Sequence, residues 1–303
     1  MHAPHSLDVL FLTNFSDYCY RAIPAIAQMA DALHMRLTIL HAYDPAKISD
    51  DEAVKQVHSF YPEADRYSNC RRMAVAGPVV EAVRRHVSLW PTNLLVVPAS
   101  DPFGLPRLGD RSLRARLLEE CGTPVWTVGR HIHWPTLQQP IRNVACWLDF
   151  YDTQTNHVAF AIDYAKKMHA DLHLVRAIPN VDEGSLVHRA HQTKGLHPDV
   201  AAKEIMQLCG GHSIRPQVHV AFGQGRAAMT RLLRQCEANV VFLRNKESKI
   251  AKWLGFGASS AALPCPAIYV GDRLTVPNWN LQRAMERRPL SGMSPLITEL
   301  GLQ

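Results

Sequence analysis

Ala32-Leu33-His34-Met35-Arg36-Leu37-Thr38-Ile39-Leu40-His41 and Lys167-Met168-His169-Ala170-Asp171-Leu172-His173-Leu174-Val175-Arg176 are two versions of one passage. Each closes an amphipathic stretch, turns at a histidine and enters a short apolar strand. Upstream of the first, Ile23, Ile26, Ala27 and Ala30 share a face at helical spacing, which predicts a helix over Tyr18–Leu33. Upstream of the second, Phe160, Ile162, Ala165 and Met168 do the same less cleanly within Thr153–Met168. Each predicted helix is opened by a polar turn, Asn14-Phe15-Ser16-Asp17-Tyr18 or Asp149-Phe150-Tyr151-Asp152-Thr153, and each turn follows an apolar run, Leu7–Thr13 or Asn143–Leu148.

The parallel continues downstream. A long polar stretch follows in both copies. Then come a strand and a glycine-led helix: Met73–Val75 with Gly77-Pro78, and Val218–Ala221 with Gly223-Gln224-Gly225. Pro78 suits a first helical turn, where its missing N–H costs nothing. Fourth strands are expected at Asn93–Val97 and Asn239–Leu243. Closing helix–strand pairs are expected at Leu113–Cys121 with Pro124–Val128, and at Ala258–Leu263 with Pro266–Val270. A repeated strand–helix alternation of this kind means βαβ units on a parallel sheet buried on both faces. The sequence therefore predicts an α/β fold of two tandem flavodoxin-like domains, each a five-stranded parallel sheet with helices on both faces. The expected boundaries are 1–130, a linker at 131–140, 141–273, and a C-terminal tail at 274–303. Ligands of such sheets sit at the carboxyl ends of the strands, where strand order reverses.

The bulk numbers agree. The 303 residues are 47% hydrophobic and 20% charged, enough for two packed cores. No apolar run reaches the ~20 residues needed to cross a bilayer, and the first residues lack a signal-peptide pattern, so a cytoplasmic protein is expected. The seven cysteines are scattered without a CxxC pair, which predicts reduced, packed thiols and no structural zinc. A formal charge of +6 leans toward acidic partners.

Leu12-Thr13-Asn14-Phe15-Ser16-Asp17 with its helix, Leu40-His41-Ala42-Tyr43-Asp44-Pro45, and the closing strands after Cys121-Gly122-Thr123-Pro124 and Pro264-Cys265-Pro266 resemble the universal stress protein family in its tandem form. In the nucleotide-binding branch of that family an acidic residue after the first strand contacts the nucleoside. A G-x2-G-x9-G-[S/T] loop after the fourth strand cradles the phosphates, with backbone N–H groups and a helix start facing the anion. Here the first copy has Asn14 for the acid and Pro98, Asp101 and Arg111 for the glycines, and keeps only Ser112. The second copy keeps Asp149 and Gly257, with Ala258 and then Ser259 beyond it, and places Arg244 and Glu247 at the other glycine positions within a basic loop holding Lys246, Lys249 and Lys252.

The resemblance thus implies a stress-response or regulatory binding protein without catalytic residues. Family-type ATP binding would be lost in the first domain and degenerate in the second. The alternative it leaves open is a nucleotide-binding protein, with ATP or AMP held in the second domain by Asp149, Arg244, Lys246, Gly257 and Ser259. It also implies a homo-oligomer built on an internal pseudo-dimer, with Val125–Val128 beside Ala267–Val270, and an unidentified protein partner. No metal site is expected: His188, His191 and His197, and His131 with His133, lack a carboxylate or thiol at ligand spacing. Gly223-Gln224-Gly225 reads as a tight strand-to-helix turn rather than a dinucleotide fingerprint. No nucleophile elbow is present. The dispersed tryptophans do not form a nucleic-acid platform.

Overall fold

A computed structural model describes residues 8–66, 69–98, 113–128, 132, 137, 139–148, 156–178, 198–207, 214–223, 225–244 and 263–271. The first half runs β1 (Asp8–Leu12), α1 (Asp17–Ala32), β2 (Arg36–Tyr43), α2 (Asp50–Ser59), β3 (Cys70–Ala76), α3 (Val79–Leu89), β4 (Thr92–Val96), α4 (Leu113–Cys121) and β5 (Val125–Thr127). The second runs β6 (Asn143–Leu148), α5 (Asn156–Lys167), β7 (Asp171–Ile178), α6 (Pro198–Gln207), β8 (Gln217–Phe222), α7 (Gly225–Gln235), β9 (Val240–Arg244) and β10 (Ala267–Val270).

The strands form one ten-stranded sheet in the order β3-β2-β1-β4-β5-β10-β9-β6-β7-β8. Within each half every pairing is parallel, and strand order reverses between β1 and β4 and again between β6 and β9. The halves meet at the antiparallel pair β5–β10, where Ala267 lies opposite Thr127, Ile268 opposite Trp126 and Tyr269 opposite Val125. This is the internal pairing that the resemblance implies. Because the joint is antiparallel, the carboxyl ends of the two halves point to opposite ends of the sheet.

Alternation along the strands divides the interior into two layers. Val9, Phe11, Leu172, Leu174 and Phe242 face α1, α2, α5 and α6. Leu10, Leu12, Val175, Val241 and Tyr269 face α3, α4 and α7. The central strands are buried on both sides; β1 and β10 are buried at every position. That is the physical reason these strands read as unbroken apolar runs. Arg114 of α4 lies 4.0 Å over the ring of Tyr269, tying the first half's last helix to the second half's last strand.

The polar stretch after β2 holds a helix that hydropathy alone does not reveal. α2 buries only Ala53 and Val57, four residues apart, and its first turn is Asp50-Asp51-Glu52 behind the Ser49 cap, whose hydroxyl accepts from the Glu52 N–H. Capping and the helix dipole, not an apolar stripe, mark this element. Pro24 sits inside α1 without ending it, because seven other residues of that helix are buried against the sheet and packing outweighs one lost hydrogen bond. His34 and His169, the turning histidines of the repeat, both adopt the left-handed conformation, with φ of 52° each. The six described cysteines are free; burial pushes the Cys121 thiol up to about 11 and raises Cys70 and Cys236 as well.

The joint carries a clear expectation. Ile268 is fully buried in the sheet, so Ile268→Ala should lower stability by about 2–5 kcal/mol, read as a reduced midpoint in urea melts. A loss of less than about 1 kcal/mol would mean that the two halves are not packed through this strand.

Candidate functional site

At the carboxyl end of β1 the backbone turns sharply. Phe15 has φ of 60°, its N–H donates to the Thr13 hydroxyl at 3.0 Å, and the Asn14 side-chain oxygen accepts from the Ser16 N–H at 3.2 Å and from the Cys19 thiol at 3.2 Å. Asn14 therefore serves as a turn former at the start of α1, a role its short amide suits. The turn drives the Phe15 ring inward, onto His41 with centroids 4.4 Å apart and onto Phe60 at 5.6 Å. Tyr20 adds a fourth ring against Phe60 at 4.7 Å. His41 is fixed in turn by its Nδ1, 3.0 Å from the Thr13 carbonyl. The crevice beside β1 and β2 is thus lined by aromatic rings. Pro98, following β4, is buried and has no N–H to offer.

The equivalent positions in the second half carry cations. The register pairs Leu148 with Arg176 and Val270 with Arg244; superposing the repeats puts Arg176 at the place of His41 and Arg244 at the place of Pro98. Both lie at carboxyl ends, on the face covered by α5; Arg244 is on β9, beside the point where strand order reverses, and Arg176 is on β7, one strand beyond it. Arg176 is buried, with 8% of its surface exposed. A guanidinium held this way is a strong fixed donor for a carboxylate or phosphate. Arg176 was not among the residues expected from the sequence. Its signal was present: a cation ending an otherwise apolar, two-face-buried strand, aligned with His41 in the repeat. Of the residues expected from the sequence, the structure brings Asn14 and Arg244 to strand ends. Ser112, Asp149, Lys246, Gly257 and Ser259 lie outside the described residues, as do His131, His133, His188, His191 and His197.

Gly223 serves the turn expected of it. Its φ is 149°, and a Cβ there would stand 2.9 Å from the Ala228 Cβ, so only glycine lets α7 pack this close to β8. Among the described residues no group of three or more His, Cys, Asp or Glu is placed to hold a metal ion, and no helix is long and apolar enough to cross a membrane.

The amino ends of the strands are wired differently in the two halves. Asp8 is fully buried; its carboxylate takes the Thr38 hydroxyl at 2.8 Å, the Arg36 Nε at 3.2 Å and the His86 Nε2 at 3.1 Å, while its N–H donates to the Asn93 side chain at 3.0 Å. The matching Asn143 uses the same backbone clasp, donating its N–H to Asn239 at 2.8 Å, but carries no charge. Below it a cavity of about 550 Å³ is bordered by Arg142, Asn143, Arg234, Glu237 and Asn239.

The chain is similar in structure to a universal stress protein from Archaeoglobus fulgidus DSM 4304, at 15% identity and a TM-score of 0.62 over 87% of this chain and 98% of that one. The chain shares the fold of that universal stress protein. A protein of Pseudomonas aeruginosa UCBPP-PA14 described as a universal stress protein superposes at 13% identity and a TM-score of 0.54, over 89% and 94% of the two chains. A functionally unknown protein from Pseudomonas aeruginosa PAO1 does so at 12% and 0.53, over 87% and 92%. No protein-family model and no curated protein matches the sequence. In such a sheet ligands bind where strand order reverses, here between β1 and β4 in the first half and between β6 and β9 in the second.

Asp8 offers a test of the amino-end network. Asp8→Ala leaves Arg36 and His86 facing an empty buried position, and should cost about 3 kcal/mol, the lower end of the range for a broken buried pair because Arg36 reaches solvent. Chemical denaturation at neutral pH measures it.

Proposed function

We propose that this chain is a cytoplasmic regulatory binding protein of the universal stress protein kind, without catalytic activity, and that its first half takes no nucleotide. The observation that carries this reading is the ring cluster of Phe15, His41 and Phe60 at the carboxyl end of β1, together with buried Pro98 after β4. A nucleoside needs an open slot there and its phosphates need backbone donors. Rings occupy the first place, and the second begins with a residue that has no N–H. The loss of the acid at Asn14 points the same way. The expected partner is another protein, and the ten-stranded sheet supplies the scaffold on which such an assembly is built.

One specific observation favours a second reading, in which the second half binds ATP, AMP or a related anion. Arg176 and Arg244 stand on one face, at the ends of the strands on either side of β6, with Arg244 next to the reversal point. In this reading Asp149 would meet the nucleoside, while Lys246, Gly257 and Ser259 would join the arginines around the phosphates. Guanidinium groups would then replace part of the backbone cradle that the altered glycine positions cannot form.

Thermal melts with and without millimolar ATP, ADP and AMP in magnesium separate the readings. A ligand at ~100 times its dissociation constant adds ~2.7 kcal/mol, a readily measured rise in Tm. The first half is expected to contribute nothing, so any rise must vanish in Asp149→Ala and in Arg244→Ala. A rise that survives both substitutions but disappears in Phe15→Ala would place a nucleotide in the first half and overturn the proposal. No rise with any nucleotide would reject the second reading and leave the protein-binding one.

A further inference from the structure

The amino end of the second half holds a chain of polar contacts that neither reading above uses. His219 of β8 and His173 of β7 place Nε2 and Nδ1 2.9 Å apart. The Nε2 of His173 is 3.3 Å from the Asn143 side-chain oxygen, and the Asn143 amide nitrogen donates to the Glu237 carbonyl at 3.3 Å. Asn239 then clamps the backbone N–H groups of Arg142 and Asn143, both at 2.8 Å. The relay runs from the outermost strand of the sheet, through two inner strands, to the turn between α7 and β9.

Its proton positions follow from its far end. Asn143 donates through nitrogen to Glu237, so its oxygen is the acceptor and the His173 Nε2 must carry hydrogen. In neutral His173 the Nδ1 is then bare, so the His219 Nε2 carries the hydrogen between the rings. One proton can be added at the His219 Nδ1 without disturbing this order. A second has only the His173 Nδ1 to go to, and there two N–H groups would point at each other across 2.9 Å with two positive charges.

The surroundings do not offset that charge. Asp171 on β7 is the carboxylate nearest His173, and Gln217 and Ala221 of β8 are neutral. From α7, Ala228, Leu232 and protonated Cys236 face the sheet, while Arg231 and Arg234 stay exposed; Glu237 follows that helix and Arg142 precedes β6. On the opposite face α6 contributes Asp199 and Lys203. Cations at least match anions in this set. Burial lowers both histidines below the ordinary 6.5, and each ring's charge would lower the other's further, with Asp171 opposing weakly.

We propose that the His219–His173–Asn143 relay is a proton-operated latch, holding outer strand β8 to the sheet while neutral and releasing it on acidification. The sign follows from linkage. Because the folded values lie below 6.5, the unfolded chain binds more protons in that range, so the latch contributes fully above about pH 6.5 and is lost as pH falls below it. In the first half Thr38 and Arg36 replace His173 and Asp171, and the imidazole comes instead from His86 on α3, facing a carboxylate. That half has no second ring opposite the first.

The test uses the full chain. Urea midpoints are measured at pH 7.5, 6.0 and 5.0 for the wild type, His219→Gln and His173→Gln, with backbone hydrogen exchange of the peptide spanning Val218–Phe222 followed at the same pH values. His219 is only half-buried and glutamine keeps a donor and an acceptor, so this variant should fold. The wild-type midpoint is expected to fall toward pH 5.0, with exchange at β8 rising beyond the intrinsic pH effect; in His219→Gln the fall should flatten and the local rise disappear. Parallel pH profiles in wild type and His219→Gln, with no exchange change confined to β8, would overturn the proposal, whether or not His173→Gln folds.

Discussion

The antiparallel contact between β5 and β10 is the constraint on which the rest of the molecule depends. Each half alone would end in a short, fully buried strand with one unpaired edge, an arrangement prone to uncontrolled association. Pairing Val125, Trp126 and Thr127 with Tyr269, Ile268 and Ala267 removes both edges at once and merges two layers of core into continuous ones. The direction of that pairing has a second effect. It turns one half end for end relative to the other within a common sheet, so the carboxyl-end crevice of each half shares an end of the sheet with the amino-end polar cluster of the other.

A duplicated scaffold of this kind frees one copy from the duties of the other. The strands of the two halves share apolar character but not side-chain volume: Leu10, Phe11 and Leu12 stand where Ala145, Cys146 and Trp147 stand. The polar positions at strand ends are not shared. His41 and Pro98 of the first half stand where Arg176 and Arg244 stand in the second; Asp8, Arg36 and Thr38 stand where Asn143, Asp171 and His173 stand. At the amino end each half solves one problem, the solvation of a polar side chain under a helix, by a different route. The first buries a charged pair and surrounds it with donors. The second strings neutral groups into a relay.

How much of this the sequence discloses depends on the physical signal. The strand–helix alternation was legible because strands buried on two faces must be apolar along their length, and the repeat shows that pattern twice; the internal joint was implied by the family resemblance. Asn143–Leu148 and Leu113–Cys121 are read from the sequence to the residue. α2 and α6 were hidden in polar stretches because helices with few buried positions, such as Ala53 and Val57 in α2, leave little periodicity to detect. Candidate site residues chosen by motif spacing placed weight on loops, whereas Arg176 belongs to a strand and becomes visible only when the charge ending β7 is compared with the histidine ending β2. The same comparison marks Phe15: sequence gives its place in the turn, but not the φ of 60° that sends its ring onto His41.

The two halves also differ in how their outer strands are secured. β3 carries Arg71 and Arg72, and these charges guard it: Arg72 reaches Asp65 and the Tyr61 carbonyl, and Arg71 lies 4.9 Å over Trp90. β8 reads Gln217-Val218-His219-Val220-Ala221-Phe222 and has no permanent charge. Charged residues are the usual protection for an outer strand, and they act at every pH. A strand whose ionisable group is an imidazole within 2.9 Å of another keeps its hydrogen bond while at most one ring is protonated and is repelled when both are. The first half is therefore fixed at its edge by arginines, and the second by a pair of imidazoles that burial lowers below their ordinary value. The imidazole-held edge lies in the half that also carries the arginine pair.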